Sequence, residues 1–174
     1  VASFFVSRID SLLDPKIAEQ GEALCDLQGR IAIANARLAY AHYRDVVASE
    51  RWQALAARGA QVQRVLWAST STKDPSYPKT LYVDELIGPD TVNTLPGATF
   101  EAFARKGTVR AVLGSDLDAQ VAEAREQIAR LEAAGISLDD ATRQLLAEGV
   151  RKFVEPFDSL LATIARRRDE ILAG

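Results

Sequence analysis

The alternation of strand and helix in the first half of the chain limits the fold more than any other feature. Three short runs read as strands. Residues 2–6, ASFFV, are aromatic and β-branched; residues 64–69, RVLWAS, follow Gly59 and end in hydroxyls; residues 91–95, TVNTL, sit between Pro89 and Pro96. Helical patterns separate them. Across residues 17–58, Leu24, Leu27, Ile31, Ala34, Leu38 and Ala41 recur in steps of three and four, and Ile33, Ala36, Tyr40, Tyr43 and Val47 form a second stripe. A face that broad predicts burial on two sides. Gly21 and Gly29 are the expected break points, since glycine costs about 1 kcal/mol against alanine inside a helix. Ser49 is placed to cap a short helix through Ala57 that Gly59 ends, and residues 80–87, TLYVDELI, supply the shorter second crossover. Strand, helix, strand, helix, strand in this order is the rhythm that gives parallel neighbours.

Beyond Pro96 the pattern is wholly helical, with helices predicted near 98–106, over 115–134 and from Ser137 onward. Ser115 with Asp118, and Ser137 with Asp140, resemble capping boxes with aspartate in the glutamate position. Pro156 removes a backbone donor and crowds the preceding turn, so a break or bend is expected near Glu155. The strand count sets a harder limit. Three parallel strands cannot close a barrel, and as an open sheet they leave two unpaired edges. An eight-fold α/β barrel takes about 250 residues and places its reacting groups at the C-terminal ends of its strands. Ser7, Arg8 and Asp10, and the run from Ser69 to Lys73, follow the first two strands at that end.

Composition excludes several classes. The chain has 174 residues, 48% of them hydrophobic and 26% charged, enough for one soluble domain core. A net charge of -3 gives no basic excess for nucleic acid, and Arg166, Arg167 and Arg168 read as a solvated helix end. No apolar run reaches the roughly 20 residues of a membrane span, and no basic segment followed by an apolar one opens the chain, so neither membrane nor secretion is expected. The expected compartment is the cytoplasm. Cys25 is the sole cysteine, which rules out an internal disulfide and a cysteine metal cluster; it is expected to pack as a small apolar residue. His42 is the sole histidine, with a structural or surface role expected, which excludes a multi-histidine metal site and most histidine-dependent triads within the chain. The lack of methionine and the start at Val1 suggest an excised or processed piece.

Four stretches then carry a resemblance: SFFVSRID, GRIAIANARLAYAHYRDV, RVLWASTSTKDPSYPKTLYVDELIGPDTVNTLP and LEAAGISLDDATRQLLAEGVRKFVEPFD. Together they resemble the C-terminal part of the bacterial transaldolase family, from about the sixth barrel strand to the end. The third stretch is the most specific, because it holds several rare residues in fixed order.

The resemblance implies the C-terminal portion of a (β/α)8 TIM barrel, α/β in class, with residues 1–97 as β/α units six to eight and 98–174 as C-terminal helices of one domain. It also implies an enzyme of the pentose phosphate pathway that moves a dihydroxyacetone unit between sugar phosphates through a lysine Schiff base, with no cofactor and no metal. Its substrates would be fructose 6-phosphate, erythrose 4-phosphate, sedoheptulose 7-phosphate and glyceraldehyde 3-phosphate. Ser3 matches a serine beside the Schiff-base adduct, and Phe5 an aromatic next to it. Arg8 matches an arginine on the substrate phosphate, a task suited to the guanidinium fork. Ser69 matches a second phosphate-side residue. Where the better known branch has an arginine two positions later, this chain has Ser71, with Lys73 as the nearest charge. The family's lysine, on the fourth strand, and its carboxylates, on the first and third, all precede Val1, so no catalytic residue is expected here and the preceding part of the enzyme is the required partner.

Plainer readings stand beside these. Residues 69–71 also fit an ordinary hydroxyl-rich turn with Lys73 and Asp74 paired in solvent, and Arg8 also fits a surface ion pair with Asp10. Trp67 reads as core, and Asn93 as either a turn residue or part of the pocket wall. For the whole chain the alternatives are a non-catalytic helical interaction module, using the apolar faces of residues 17–48 and 115–165, and a related Schiff-base sugar-phosphate aldolase.

Overall fold

The computed structural model describes residues 1–114 and 116–173. Strands β1 (Ala2–Phe5), β2 (Val65–Ala68) and β3 (Thr91–Asn93) form one parallel sheet in the order β1-β2-β3. Ser3 lies opposite Leu66, which lies opposite Val92, so the C-terminal ends of all three strands point the same way. The fold is α/β. The first crossover holds α1 (Ser7–Ala18), a 3-10 segment (Gly21–Leu27), α2 (Ile31–Ala48) and α3 (Glu50–Ala56); the second holds α4 (Leu81–Glu85). Helices α5 (Gly97–Lys106), α6 (Leu117–Ala133) and α7 (Leu138–Ala173) follow.

Two compact units result, residues 1–138 and 139–174. In the first, the broad apolar face predicted for the first crossover is buried: Ile31, Ala32, Ile33, Ala34, Ala36 and Tyr40 of α2 are all covered. Helix α2 packs on α6 and α1, so this face is used inside the unit. Gly21 and Gly29 break the pattern with φ of +67° and +68°, a left-handed conformation that costs glycine little. Ser49 caps α3, its hydroxyl accepting from the Trp52 amide at 3.3 Å. Arg37 is buried on α2 and pairs with Glu85 at 3.1 Å and Glu123 at 2.8 Å, tying α2 to α4 and α6.

Two expectations fail in this unit. Helix α1 begins at Ser7, ten residues before the predicted helical region, because Ile9, Leu13 and Ile17 step by four and are all buried. Pro15 lies inside it without ending it, since the buried stripe holds both sides of the proline on the core. Cys25 is exposed rather than packed, because the 3-10 segment turns Leu24 and Leu27 inward and Cys25 outward. His42 is on the surface, as allowed for.

The second unit is the body of α7, and it runs unbroken through Pro156. The proline removes one donor, and the helical bonds on either side persist, so the predicted break is absent. Exposed pairs such as Lys152 with Glu148 and Arg166 with Glu170 sit at four-residue spacing along it, each of small value. Arg166, Arg167 and Arg168 pair with Glu170 and Asp169, which fits the solvated helix end read from the sequence. Of the two capping boxes, the first involves Ser115, which lies outside the described residues; Asp116 holds the cap position of α6. No described helix is long and apolar enough to cross a membrane.

Candidate functional site

The ladder between β1 and β2 continues past both strands. The Val6 amide donates to the Ala68 carbonyl at 2.9 Å and the Ser7 amide to the Ser69 carbonyl at 3.0 Å. The Ser7 and Ser69 hydroxyls then meet at 3.0 Å. The corner that carries Arg8 and the corner that opens the run of residues 69–73 therefore share one rim, at the C-terminal ends of parallel strands. This is where ligands gather in open α/β sheets.

Arg8 stands in the first turn of α1, whose amino end favours anions. Its guanidinium lies 4.6 Å from the Phe5 ring centroid, a cation-π contact, so the charge is directed along the rim. Phe5 is 42% exposed, and Ser3, two residues earlier on the same face of β1, is exposed too. Between them Phe4 points the other way and packs edge-on against Trp67, with centroids 5.7 Å apart. Trp67 is fully buried, the core role expected of it.

The second corner is held by side chains. Ser69 adopts φ +56°, sparsely populated for a residue with a side chain, and the paired hydroxyl and carbonyl of the Ser7 contact hold it there. Thr70 is fully buried and donates to the Asn93 side-chain oxygen at 2.9 Å and the Thr94 carbonyl at 3.2 Å, so Asn93 fastens this corner to β3. The Lys73 ammonium donates to the Ser71 hydroxyl at 2.8 Å, while Asp74 accepts from Ser76. The solvent pair of Lys73 with Asp74 is thus not what forms. Nor does Asp10 pair with Arg8 at the surface. It is fully buried, accepting from the Ala32 amide at 2.7 Å and the Tyr82 hydroxyl at 2.8 Å.

Sequence reasoning did not single out Asp14, Tyr77 or Tyr82, and placed Asp10 at the functional end of the first strand or as a surface partner of Arg8, not as a buried carboxylate. One turn after Asp10, Asp14 accepts from the Gly29 amide at 3.0 Å and the Tyr77 hydroxyl at 2.8 Å. Burial drives the Asp10 carboxyl up to about 7, against the opposing pull of its two hydrogen bonds, and Asp14 adds to the rise. Burial also raises Asp14, and the Tyr77 and Tyr82 hydroxyls are held above their ordinary value by burial and by these carboxylates. The four-residue spacing of Asp10 and Asp14 was the available signal, once residues 7–18 are known to be helical.

All five lysines, Lys16, Lys73, Lys79, Lys106 and Lys152, are exposed. A Schiff-base lysine needs burial or a neighbouring cation to lose its proton near neutrality, and none has burial.

The family described as transaldolase/fructose-6-phosphate aldolase matches residues 1–164, and the chain belongs to it. Among curated relatives, a transaldolase of Frankia alni is 51% identical over 169 residues, covering 96% of this chain and 44% of that protein. A transaldolase of Saccharopolyspora erythraea is 50% identical over 170 residues, covering 98% and 45%, and the transaldolase 2 of a Nostoc species is 48% identical over 176 residues, covering 94% and 45%. The chain thus spans less than half the length of the relatives it matches.

Proposed function

We propose that residues 1–174 are the C-terminal part of a single (β/α)8 transaldolase domain, supplying its last three β/α units and its C-terminal helices. The parallel sheet, whose outer strands β1 and β3 each pair only with β2 among the described residues, supports this reading, because closure needs further strands on each side. In the completed barrel this part binds the phosphate and shapes the sugar pocket, while a lysine in the preceding part forms the Schiff base and moves a dihydroxyacetone unit between sugar phosphates in the cytoplasm. The observation that carries the reading is the meeting of the two corners at Ser7 and Ser69, one residue from Arg8.

Each side chain then has a task. Arg8 donates to the substrate phosphate with its fork; Ser69 and Ser71 add hydroxyl donors, and Lys73 supplies the second positive charge. Ser3 hydrogen-bonds the adduct's hydroxyls, and Phe5 walls it while steering Arg8. Transfer is favoured over simple aldol cleavage by the relatives, which are named transaldolases.

The test is reconstitution. This chain, mixed with the N-terminal part of the Frankia alni relative and treated with borohydride and fructose 6-phosphate, should leave label only on the N-terminal part; label on this chain overturns the division of labour. Replacing Arg8 with alanine should weaken phosphate-bearing substrates by about 1.5 to 3 kcal/mol, the worth of a charged hydrogen bond. Equal loss with unphosphorylated sugars would remove Arg8 from the phosphate.

A further inference from the structure

We propose that Asp10 and Asp14 are positioning residues that, through the hydroxyls of Tyr82 and Tyr77, clamp residues 69–80 onto α1 and so keep Ser69 and Lys73 on the rim with Arg8. The inference rests on the phosphate-site reading above. Helix α1 carries both halves of the device: Arg8 in its first turn, and the two carboxylates on successive turns of one face.

Each carboxylate joins two separate pieces of chain. Asp10 takes the Ala32 amide, at the start of α2, with one oxygen and the Tyr82 hydroxyl, on α4, with the other. Asp14 takes the Gly29 amide with one oxygen and the Tyr77 hydroxyl with the other. The two rungs therefore grip the far end of the second corner at residues 77 and 82, while Ser7 and Thr70 grip its near end. Gly29 gives an independent sign that the Tyr77 seat is built for its occupant. A Cβ at Gly29 would stand 2.9 Å from the Tyr77 ring, so only glycine lets the ring lie against the backbone there. Lys73 lies along the same surface: it lines a cleft of about 520 Å³ together with Asp10, Asp14, Asp74, Tyr77 and Tyr82.

The clamp is needed because the corner cannot hold itself. Between β2 and α4 the chain has no regular element to fix residues 69–80, and Ser69 is held in a left-handed conformation. Freed of its far anchor, the segment would sample other conformations, and Lys73 and Ser69 would be aligned with Arg8 only part of the time. Affinity for a phosphate would then fall in proportion to the aligned fraction.

The experiment compares the chain with its Tyr77→Phe/Tyr82→Phe variant, each reconstituted with the N-terminal part of the Frankia alni relative, by amide hydrogen exchange and by calorimetric titration with fructose 6-phosphate and with fructose. Where the double variant loses its far-ultraviolet helical signal, the two single variants replace it. Expected are exchange over residues 69–80 faster by about tenfold, unchanged exchange over 117–133, and fructose 6-phosphate bound about tenfold more weakly with the fructose titration unaltered. Unchanged exchange over 69–80 overturns the clamp; faster exchange with unchanged preference for the phosphorylated sugar reduces it to a structural tie and overturns its positioning role. An Arg8→Ala chain is run alongside. Should it bind fructose 6-phosphate as the parent does, the phosphate-site reading fails, and exchange alone decides whether the clamp exists.

Discussion

The two corners that leave β1 and β2 reach the same rim by different means. After Phe5 a single residue, Val6, separates strand from helix, and α1 satisfies its own backbone as it turns away. After Ala68, residues 69–80 pass before α4 begins, and the fixed points are mainly side chains: Ser69 on Ser7, Thr70 on Asn93, Tyr77 on Asp14. The first corner is rigid by construction, whereas the second borrows rigidity from its neighbours. Binding residues gather on loops that a rigid scaffold positions, and here the first corner is part of the scaffold for the second.

The largest way to break that contrast is to remove the floor beneath both corners. Trp67 is fully buried and packs edge-on against Phe4, so Trp67→Ala should cost about 3 to 5 kcal/mol of stability in denaturant unfolding. If the corners share this floor, hydrogen exchange should rise in residues 7–10 and 69–73 together. A rise confined to the second corner would show that α1 is independent of the sheet, which would sharpen the contrast between the corners.

The difference between the corners also explains what the sequence could convey. The strands, the stripes of α2 and the glycine breaks follow from local periodicity, and all are present. Helix α1 lay outside the helical region read from residue 17 onward, although Ile9, Leu13 and Ile17 already carry its period. Asp10 shows the deeper difficulty. A buried carboxylate is tolerable only with donors in place, and its donors stand 22 and 72 residues away. Nothing local announces them. Likewise a run of hydroxyls does not reveal that Ser69 turns left-handed or that Thr70 is swallowed whole. The roles given to Ser3, Phe5 and Arg8 came from the family resemblance, while the structure added only their places.

A second test probes the tie between the two corners. Asp10 rises to about 7 in the fold from its ordinary 3.8, chiefly by burial, so between these values the folded state binds more protons than the unfolded one. Stability from this group is therefore fully present below about pH 4 and declines as pH rises toward 7, with a slope approaching about 1.4 kcal/mol per pH unit. Asp14, Tyr82 and Tyr77 face the same cluster, and Asp14 acts in the same direction. Comparing the chain with Asp10→Asn at fixed denaturant isolates the residue: the difference between them should move toward the variant as pH rises from 4 to 7. A difference that stays flat would mean that Asp10 is ionised throughout and that α1 bears a permanent charge beneath the rim.

The mildest change tests the second corner at its other anchor. Thr70→Val keeps the shape of a fully buried side chain but deletes the donor to Asn93 and to the Thr94 carbonyl. One neutral hydrogen bond is worth about 0.5 to 1.5 kcal/mol, and the stranded Asn93 oxygen is half-exposed and can turn to solvent, so the cost should lie near the lower end. Because the second corner is tied at several points, this loss should quicken exchange near residues 70–73 and leave α1 unchanged. A loss of several kcal/mol would show instead that Thr70 alone holds the corner, and the picture of a loop tied at many points would give way to one of a single pin between β2 and β3.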